Sequence, residues 1–587
     1  MSIYEKLKQH PKCLNNFTII AILYWSAQLM NSQAYYVPYL LISILSILSY
    51  IYNSKYINLL QSDINIYSKR LVIFFSIIFS LMVTLANYNL GRTVFLLLLF
   101  LTGFTVFQNI LTAVIFKLQV WIWREEIKKY RPNKIFIISF LSIVFINLTI
   151  FFTCFYPGIL TPDSISQITQ ILSGNYSNHH PFYHTQVIKC LFSLGMYLFN
   201  DINAAVATYS VFQIIFMASC FALTLSTLSH IKVPSKILLL IGAFYALMPY
   251  HIMYSFTMWK DVMFGAFILL LITFIFRITQ DIGNCYFNYI SLFISSMGTC
   301  LFRSNGFFAF VLLTIFLFLL FKTKQQKMLI VFIIAILISV IMKYPVLGYL
   351  NVRQPDTMEA LSIPAQQIAR VVVEKRALTS NEKQLLEKVI DINEIPKKYK
   401  PFISDNIKNL VRQKGNQHLL KEKKNEYLNL YISLGLKYPT SYARAWIDET
   451  KGYWNAGYEY WRWSKGVNKN KLGIQLTPLS EKANSFLNRY LNVFTKVQIL
   501  RTVLCIGLFV WINILMIFIS LYRKDKIGIL VTIPTIMVTL SLLIATPVFS
   551  EFRYIYALFC ALPLIFVIVL RPLANKIINS TEEQPNV

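Results

Sequence analysis

Four short clusters in an otherwise apolar chain carry the residue types that proton transfer and phosphate binding require. Asp163 stands in Pro162-Asp163-Ser164 and is followed by the pair His179-His180. Lys260-Asp261 follows Trp259, Arg303-Ser304-Asn305-Gly306 opens another apolar run, and Glu551-Phe552-Arg553-Tyr554 comes shortly after Pro547. A carboxylate can remove a proton from an incoming hydroxyl, and cationic side chains can hold a phosphate as its charge develops. Asp163, Asp261 and His180 are therefore the candidate catalytic groups. His179, Lys260, Arg303, Asn305, Glu551 and Arg553 are the candidate substrate-binding groups. Together they fit a reaction on a phosphate-bearing lipid. Each also has an ordinary explanation: Asp163 and Asp261 as first-turn acids at helix starts, the cations as side chains reaching to an interface. A shared side of the membrane is what separates a site from a scatter of such residues.

The elements that must position these residues can be read from hydropathy and punctuation. An apolar run over 135–155 is long enough to cross a bilayer. Thr161-Pro162-Asp163-Ser164 then has the order of a helix start, with Thr as N-cap, Pro at the first helical position and an acid in the first turn. Ile165, Ile168 and Leu172 recur at helical spacing while Asp163, Gln167 and Gln170 fall on another face, which predicts an amphipathic helix on the membrane surface. A second surface helix should begin at Pro181 and continue through 184–199. Asp261 and Arg553 stand at the mouths of later spans, where charge is costly to bury and normally faces a cavity or the interface.

Composition sets the class. Of 587 residues, 56% are hydrophobic and 14% charged, which excludes an ordinary soluble enzyme and predicts an all-α polytopic membrane protein. The net charge of +29 is not interleaved with groove-reading motifs, and positive charge held in short loops between spans is its commoner cause, so no nucleic-acid partner is expected. The eight cysteines suggest neither a disulfide framework nor a zinc spacing. Windows near 17–31, 35–52, 71–88, 93–117, 135–155, 203–228, 237–256, 261–279, 286–302, 307–321, 328–343, 499–521, 527–547 and 554–570 give about fourteen crossings. The short basic stretches (Lys6 to Lys12, Lys55 to Arg70, Arg124 to Lys134, KTKQQK at 322–327) then all face the cytoplasm, with both termini, and all four clusters face outward. Four parts follow: a four-span extension (1–134), a membrane module with its outer loop 156–202 (135–343), a mainly helical extracytoplasmic domain (344–498) and a three-span end with a cytoplasmic tail (499–587). The polar domain carries 25 Lys and Arg against 14 Asp and Glu; long domains translocate largely regardless of such charge.

This order of elements resembles the GT-C superfamily, the multi-span glycosyltransferases that use polyprenyl-phosphate sugars. Pro162-Asp163-Ser164 resembles the catalytic-Asp element of that superfamily's first large outer loop, between two juxtamembrane helices. His180-Pro181 is similar to the His-Pro turn opening the second of these, Lys260-Asp261 to an acidic element at the outer mouth of a later span, and Glu551-Phe552-Arg553-Tyr554 to a Glu-Arg-Tyr element. The likeness covers roughly 135–343, with a weaker match at 545–555; Asp-Ser stands where several relatives have Asp-Glu. It implies a cell-membrane enzyme that moves a sugar from a polyprenyl-phosphate donor to a cell-envelope glycan or anionic polymer on the outer face, with inversion and with Asp163 as general base. Asp261 would orient Lys260 or bind a divalent cation; Mg or Mn, held by Asp163 and Asp261, is the one cofactor the resemblance admits. The alternative is a non-enzymatic flippase or exporter of lipid-linked glycan, which predicts charged residues deep within the spans.

Overall fold

The computed structural model describes residues 11–32, 35–60, 65–91, 93–120, 131–320, 326–459 and 462–573. The basic stretches Lys6 to Lys12, Arg124 to Lys134 and KTKQQK, and the C-terminal tail, fall largely outside them. The described chain is helical, with isolated β-bridges as its only extended pairings.

Among the described residues nine helices are long and apolar enough to cross a membrane, or eleven if each of two bent pairs is one span. The chain is thus a polytopic membrane protein by length and composition. One bent pair, Ser235–Leu247 with Pro249–Ser255, turns by 50°. The cause is local: Met248 precedes a proline and takes an extended conformation (ψ 133°), as the proline ring disfavours helix at the residue before it. The second pair, Gln498–Leu504 with Ile506–Tyr522, bends by 71°. The windows near 237–256 and 499–521 are each broken at a bend, and Phe17–Asn31, Cys285–Leu301 and Ser304–Leu319 are apolar helices that fall below the length of a full span.

The helices that build the site are α1 (Pro132–Ile150), α2 (Pro162–Ser173), α3 (Phe182–Phe199), α4 (Ile202–His230), α5 (Lys260–Thr279), α6 (Cys285–Leu301), α7 (Ser304–Leu320), α8 (Pro439–Trp454) and α9 (Phe552–Val569). Helix α5 is enclosed along most of its length, packed by α4, α6 and α9. Exposed Leu, Ile and Phe side chains cover the outside of the bundle, for example Phe145, Leu239 and Phe318. Such an apolar exterior suits lipid rather than water.

The polar stretch has its own apolar core, including Met358, Val371, Leu386, Ile407, Leu410, Leu430 and Leu434. Helix α8 bridges the two bodies: Tyr442 belongs to this core, while Tyr453 and Trp454 join that of the membrane bundle. Residues 462–480 run back over the bundle and pair with the first loop. Leu160 N donates to Gly466 O at 3.1 Å, Asn468 N to Leu160 O at 2.9 Å, and Thr477 N to Tyr156 O at 2.9 Å. The N-terminal extension also meets the polar stretch, through Tyr88 donating to Asp448 Oδ2 at 2.7 Å beside Arg370.

Candidate functional site

Helix α2 begins as its sequence dictates, with Thr161 as N-cap, Pro162 in the first turn and Asp163 beside it. Thr161 N donates to Ser164 Oγ at 3.1 Å, and Ser164 Oγ donates to Met258 O at 2.8 Å. Ile159 N donates to Phe256 O and Met258 N to Ile159 O, so the approach to α2 lies beside the approach to α5. Trp259 completes the clasp, its Nε1–H donating to Thr161 Oγ1 at 2.7 Å. Two polar helix starts, far apart in sequence, are thereby fixed side by side.

The inward face of α2 differs from the expected stripe. Ser164, Gln167 and Ile168 are buried, whereas Leu172 is 53% exposed. Gln167 can face inward because its amide is satisfied there: Nε2 donates to Thr185 Oγ1 at 2.8 Å and lies 3.0 Å from His184 Nδ1. The network continues through His184 Nε2 to Tyr209 OH (2.8 Å), Gln213, and the carbonyls of Tyr254, Ser255 and Thr257. A fully paired buried network of this kind rigidifies its surroundings. Burial holds the His184 imidazole down to about 3, so it serves as a neutral link.

The four clusters converge at one end of the bundle. Asp163 Oδ2 meets Arg553 Nη1 at 2.7 Å, and Arg553 also pairs with Glu551. Asp261 Oδ1 faces Arg303 Nη1 at 3.1 Å, and Arg303 Nη1 donates to Tyr554 O at 3.3 Å. Lys260 Nζ lies 3.5 Å from His180 Nδ1. Aromatic rings hold the guanidinium groups in place: Arg553 lies 5.1 Å from the Trp259 ring centre and Arg303 lies 4.5 Å from that of Tyr554. The expected Asp261–Lys260 pair is replaced, because Asp261 turns inward beneath Arg303 while Lys260 turns toward α3. His179 also leaves the cluster. Its Nδ1 faces Glu359 of the polar stretch at 3.6 Å, although its ring stays 4.7 Å from that of His180. Asn305, half-buried in the first turn of α7, makes none of the cluster's ion pairs or hydrogen bonds described above.

Exposure sorts the three carboxylates. The Asp163 side chain is 31% exposed, against 10% for Glu551 and 1% for Asp261. Burial pushes the Asp163 carboxyl up, but Arg553, with Lys260 and His180, overrides this and holds it below the usual carboxylate range. Burial, reinforced by Lys260, lowers the His180 imidazole to about 3. Glu551 is raised, chiefly by burial, against the opposing pull of Arg553. Neither Asp261 oxygen makes a hydrogen bond, so its contact with Arg303 is a charge pair without hydrogen-bond alignment.

Asp163 and Asp261, the expected ligands of a divalent cation, are each engaged by an arginine. Among the described residues no group of three or more His, Cys, Asp or Glu side chains is placed to hold a metal. What the cluster can do directly is bind an anion through Arg553, Lys260 and Arg303 beside one reachable carboxylate. Sequence alone gives Trp259 and Tyr554 no role; the signal that could find them is adjacency, since each borders one of the charged clusters.

Neither the curated proteins nor the solved structures contain a match to this chain. A family model does match it, over residues 13–583, and on that extent the chain belongs to the DUF6020 family, a family of unknown function.

Proposed function

We propose that the protein is a membrane glycosyltransferase of GT-C type, moving a sugar from a polyprenyl-phosphate donor to a cell-envelope acceptor on the outer face. The observation that carries this reading is the pairing of a partly exposed carboxylate, Asp163, with Arg553, amid Lys260 and Arg303, where several helix mouths meet. The Asp, Glu, Lys and Arg residues of the nine candidate spans lie near span ends. That placement favours an interfacial reaction over a charged path through the bundle.

The arrangement suggests an order of events. In the resting site Arg553 neutralises Asp163 and leaves it a poor base. The donor phosphate competes for Arg553, Lys260 and Arg303, and as Arg553 turns to the phosphate the Asp163 carboxylate regains basicity. The acceptor hydroxyl oxygen attacks the anomeric carbon and its proton passes to Asp163. The bond between that carbon and the phosphate oxygen breaks, and the departing lipid phosphate is held by the cations. Attack opposite the leaving group inverts the configuration. Asp261 acts from beneath as the counter-ion that positions Arg303, and His180 orients Lys260.

The test is transfer of labelled sugar from a series of polyprenyl-phosphate sugars by the purified full chain. Wild type should transfer from at least one donor, and Asp163→Asn should fold and transfer at least about a hundred-fold more slowly. Retained transfer by Asp163→Asn refutes the assignment of the base.

A further inference from the structure

Along α2 lies an open cavity of about 510 Å³, lined by one side of that helix and by the loop that pairs with the strand-like Ile159–Leu160 segment. Its size falls within the ~300–1,000 Å³ usual for ligand pockets. Pro162 and Ile165 provide an apolar surface, and Ser166, Thr169, Asn468 and Lys469 provide hydroxyl, amide and ammonium groups around it. Two lining residues neighbour Asp163: Pro162 precedes it in the chain, and Ser166 follows it at the i+3 spacing that places both on one side of the helix. The walls are built rather than incidental. Gln170 Oε1 accepts from Ser177 N at 2.8 Å, which fixes the lining glutamine to the turn after α2. Gly466, at φ +106°, makes the turn that brings Asn468 N to Leu160 O at 2.9 Å, and Asn470 Oδ1 accepts from Leu472 N and Ile474 N to shape the loop.

We propose that this cavity is the acceptor subsite and that it takes a saccharide unit bearing an acidic group. An apolar surface edged by hydroxyls and amides matches the C–H face and the hydroxyl rim of a sugar ring. Lys469 is the one charged lining residue, and Lys465 and Lys471 flank it in the sequence, which selects a negative substituent. The lipid donor has its own cations in the cluster at the span mouths, whereas the residues edging this cavity are exposed or half-buried polar side chains on α2 and the loop. The assignment rests on the reading of Asp163 as the reactive carboxylate.

The experiment measures binding of hexagalacturonate and of neutral maltohexaose to the detergent-solubilised full chain by saturation-transfer NMR and calorimetry. Wild type should bind both, the acidic hexasaccharide more tightly. Lys469→Ala should weaken hexagalacturonate by about two- to five-fold, the scale of one exposed charge contact, and leave maltohexaose unchanged. Thr169→Trp, at an exposed position of α2 that an indole would turn into the cavity, should remove both. Failure of wild type to bind either sugar overturns the subsite, as does unchanged binding of both in Thr169→Trp. The two readings fail separately. Transfer that needs Asp163 but is indifferent to Thr169→Trp sinks the subsite alone; saccharide binding lost in Thr169→Trp, with no transfer from any donor, supports the saccharide site and sinks the enzyme.

Discussion

Two Asp–Arg pairs stand at opposite ends of the bundle, and they are built differently. At one end Arg571 grips Asp525 with both arms, Nη1 to Oδ2 at 2.7 Å and Nη2 to Oδ1 at 2.9 Å, and Nη1 also donates to Ile568 O at 2.6 Å. Both residues are under a tenth exposed, and Asp525 caps the helix that follows it. At the other end Arg553 touches Asp163 through one nitrogen, shares itself with Glu551, and leaves Asp163 31% exposed. A closed bidentate pair has no capacity left for a ligand. A shared pair at an open mouth has, and its charges are the kind that a substrate can re-partner. The same two residue types thus form a lock in one place and, on the proposed function, a reactive pair in the other.

The comparison breaks most readily at Asp163. Asp163→Asn keeps the shape, removes the base, and should lower transfer by about 10²–10⁴-fold in a labelled-sugar assay, with unfolding earlier only by the loss of one partly exposed ion pair, about 1 kcal/mol. Arg553→Lys should come next, losing about 10²–10³-fold, because a point charge cannot hold Glu551 and a phosphate together as the guanidinium fork does. Normal transfer by the lysine variant would show that the fork is not needed. At the opposite end the effect should fall on stability: Asp525→Asn leaves Arg571 buried without its counter-ion, a loss of about 3–5 kcal/mol visible as earlier unfolding in detergent.

Acid should expose a smaller difference. His180 is held at about 3 in the folded protein, below the roughly 6.5 of a free imidazole. The unfolded chain therefore binds the proton more readily in that window. Stability from this group is complete above about pH 6.5 and is lost as pH falls toward 3. His184, also held at about 3, acts in the same direction. Asp163, with its folded value depressed, adds stability that is present above about pH 4 and is lost as pH falls below it. Unfolding of His180→Gln followed from pH 7 to 4 should show a shallower decline than wild type; a parallel decline would contradict the burial argument. The smallest effect belongs to the clasp between α2 and α5. Trp259→Phe removes the Nε1–Thr161 hydrogen bond and should cost about 1 kcal/mol, read from the unfolding midpoint.

Much of this end of the molecule was legible because charge is conspicuous in an apolar chain. Pro162-Asp163, Lys260-Asp261, Arg303 and Glu551-Phe552-Arg553 stand out wherever a hydropathy window ends, and Thr161 with Pro162 marks a helix start by rules that need no tertiary context. Their gathering at one end follows once the windows are threaded back and forth. The partners within the cluster could not be read. Whether Asp261 meets Lys260 or Arg303 depends on how α5, α6 and α7 pack, and Arg553 reaches Asp163 across 390 positions of sequence. Gln167 was misplaced for a related reason: a glutamine on an amphipathic helix belongs outside unless a partner waits inside, and His184 and Thr185 lie on another helix. The return of 462–480 over the first loop left no signal in hydropathy, since a polar segment looks the same in solvent as against polar backbone.

The central claim is that one end of the bundle reacts while the other only holds. The direct measurement is labelled-sugar transfer per folded molecule for wild type, Asp163→Asn and Asp525→Asn in the same membranes, with the unfolding midpoint of each. The account predicts an inert Asp163→Asn protein that unfolds close to wild type and an active Asp525→Asn protein that unfolds much earlier. Transfer retained by Asp163→Asn, or abolished in folded Asp525→Asn, would contradict it.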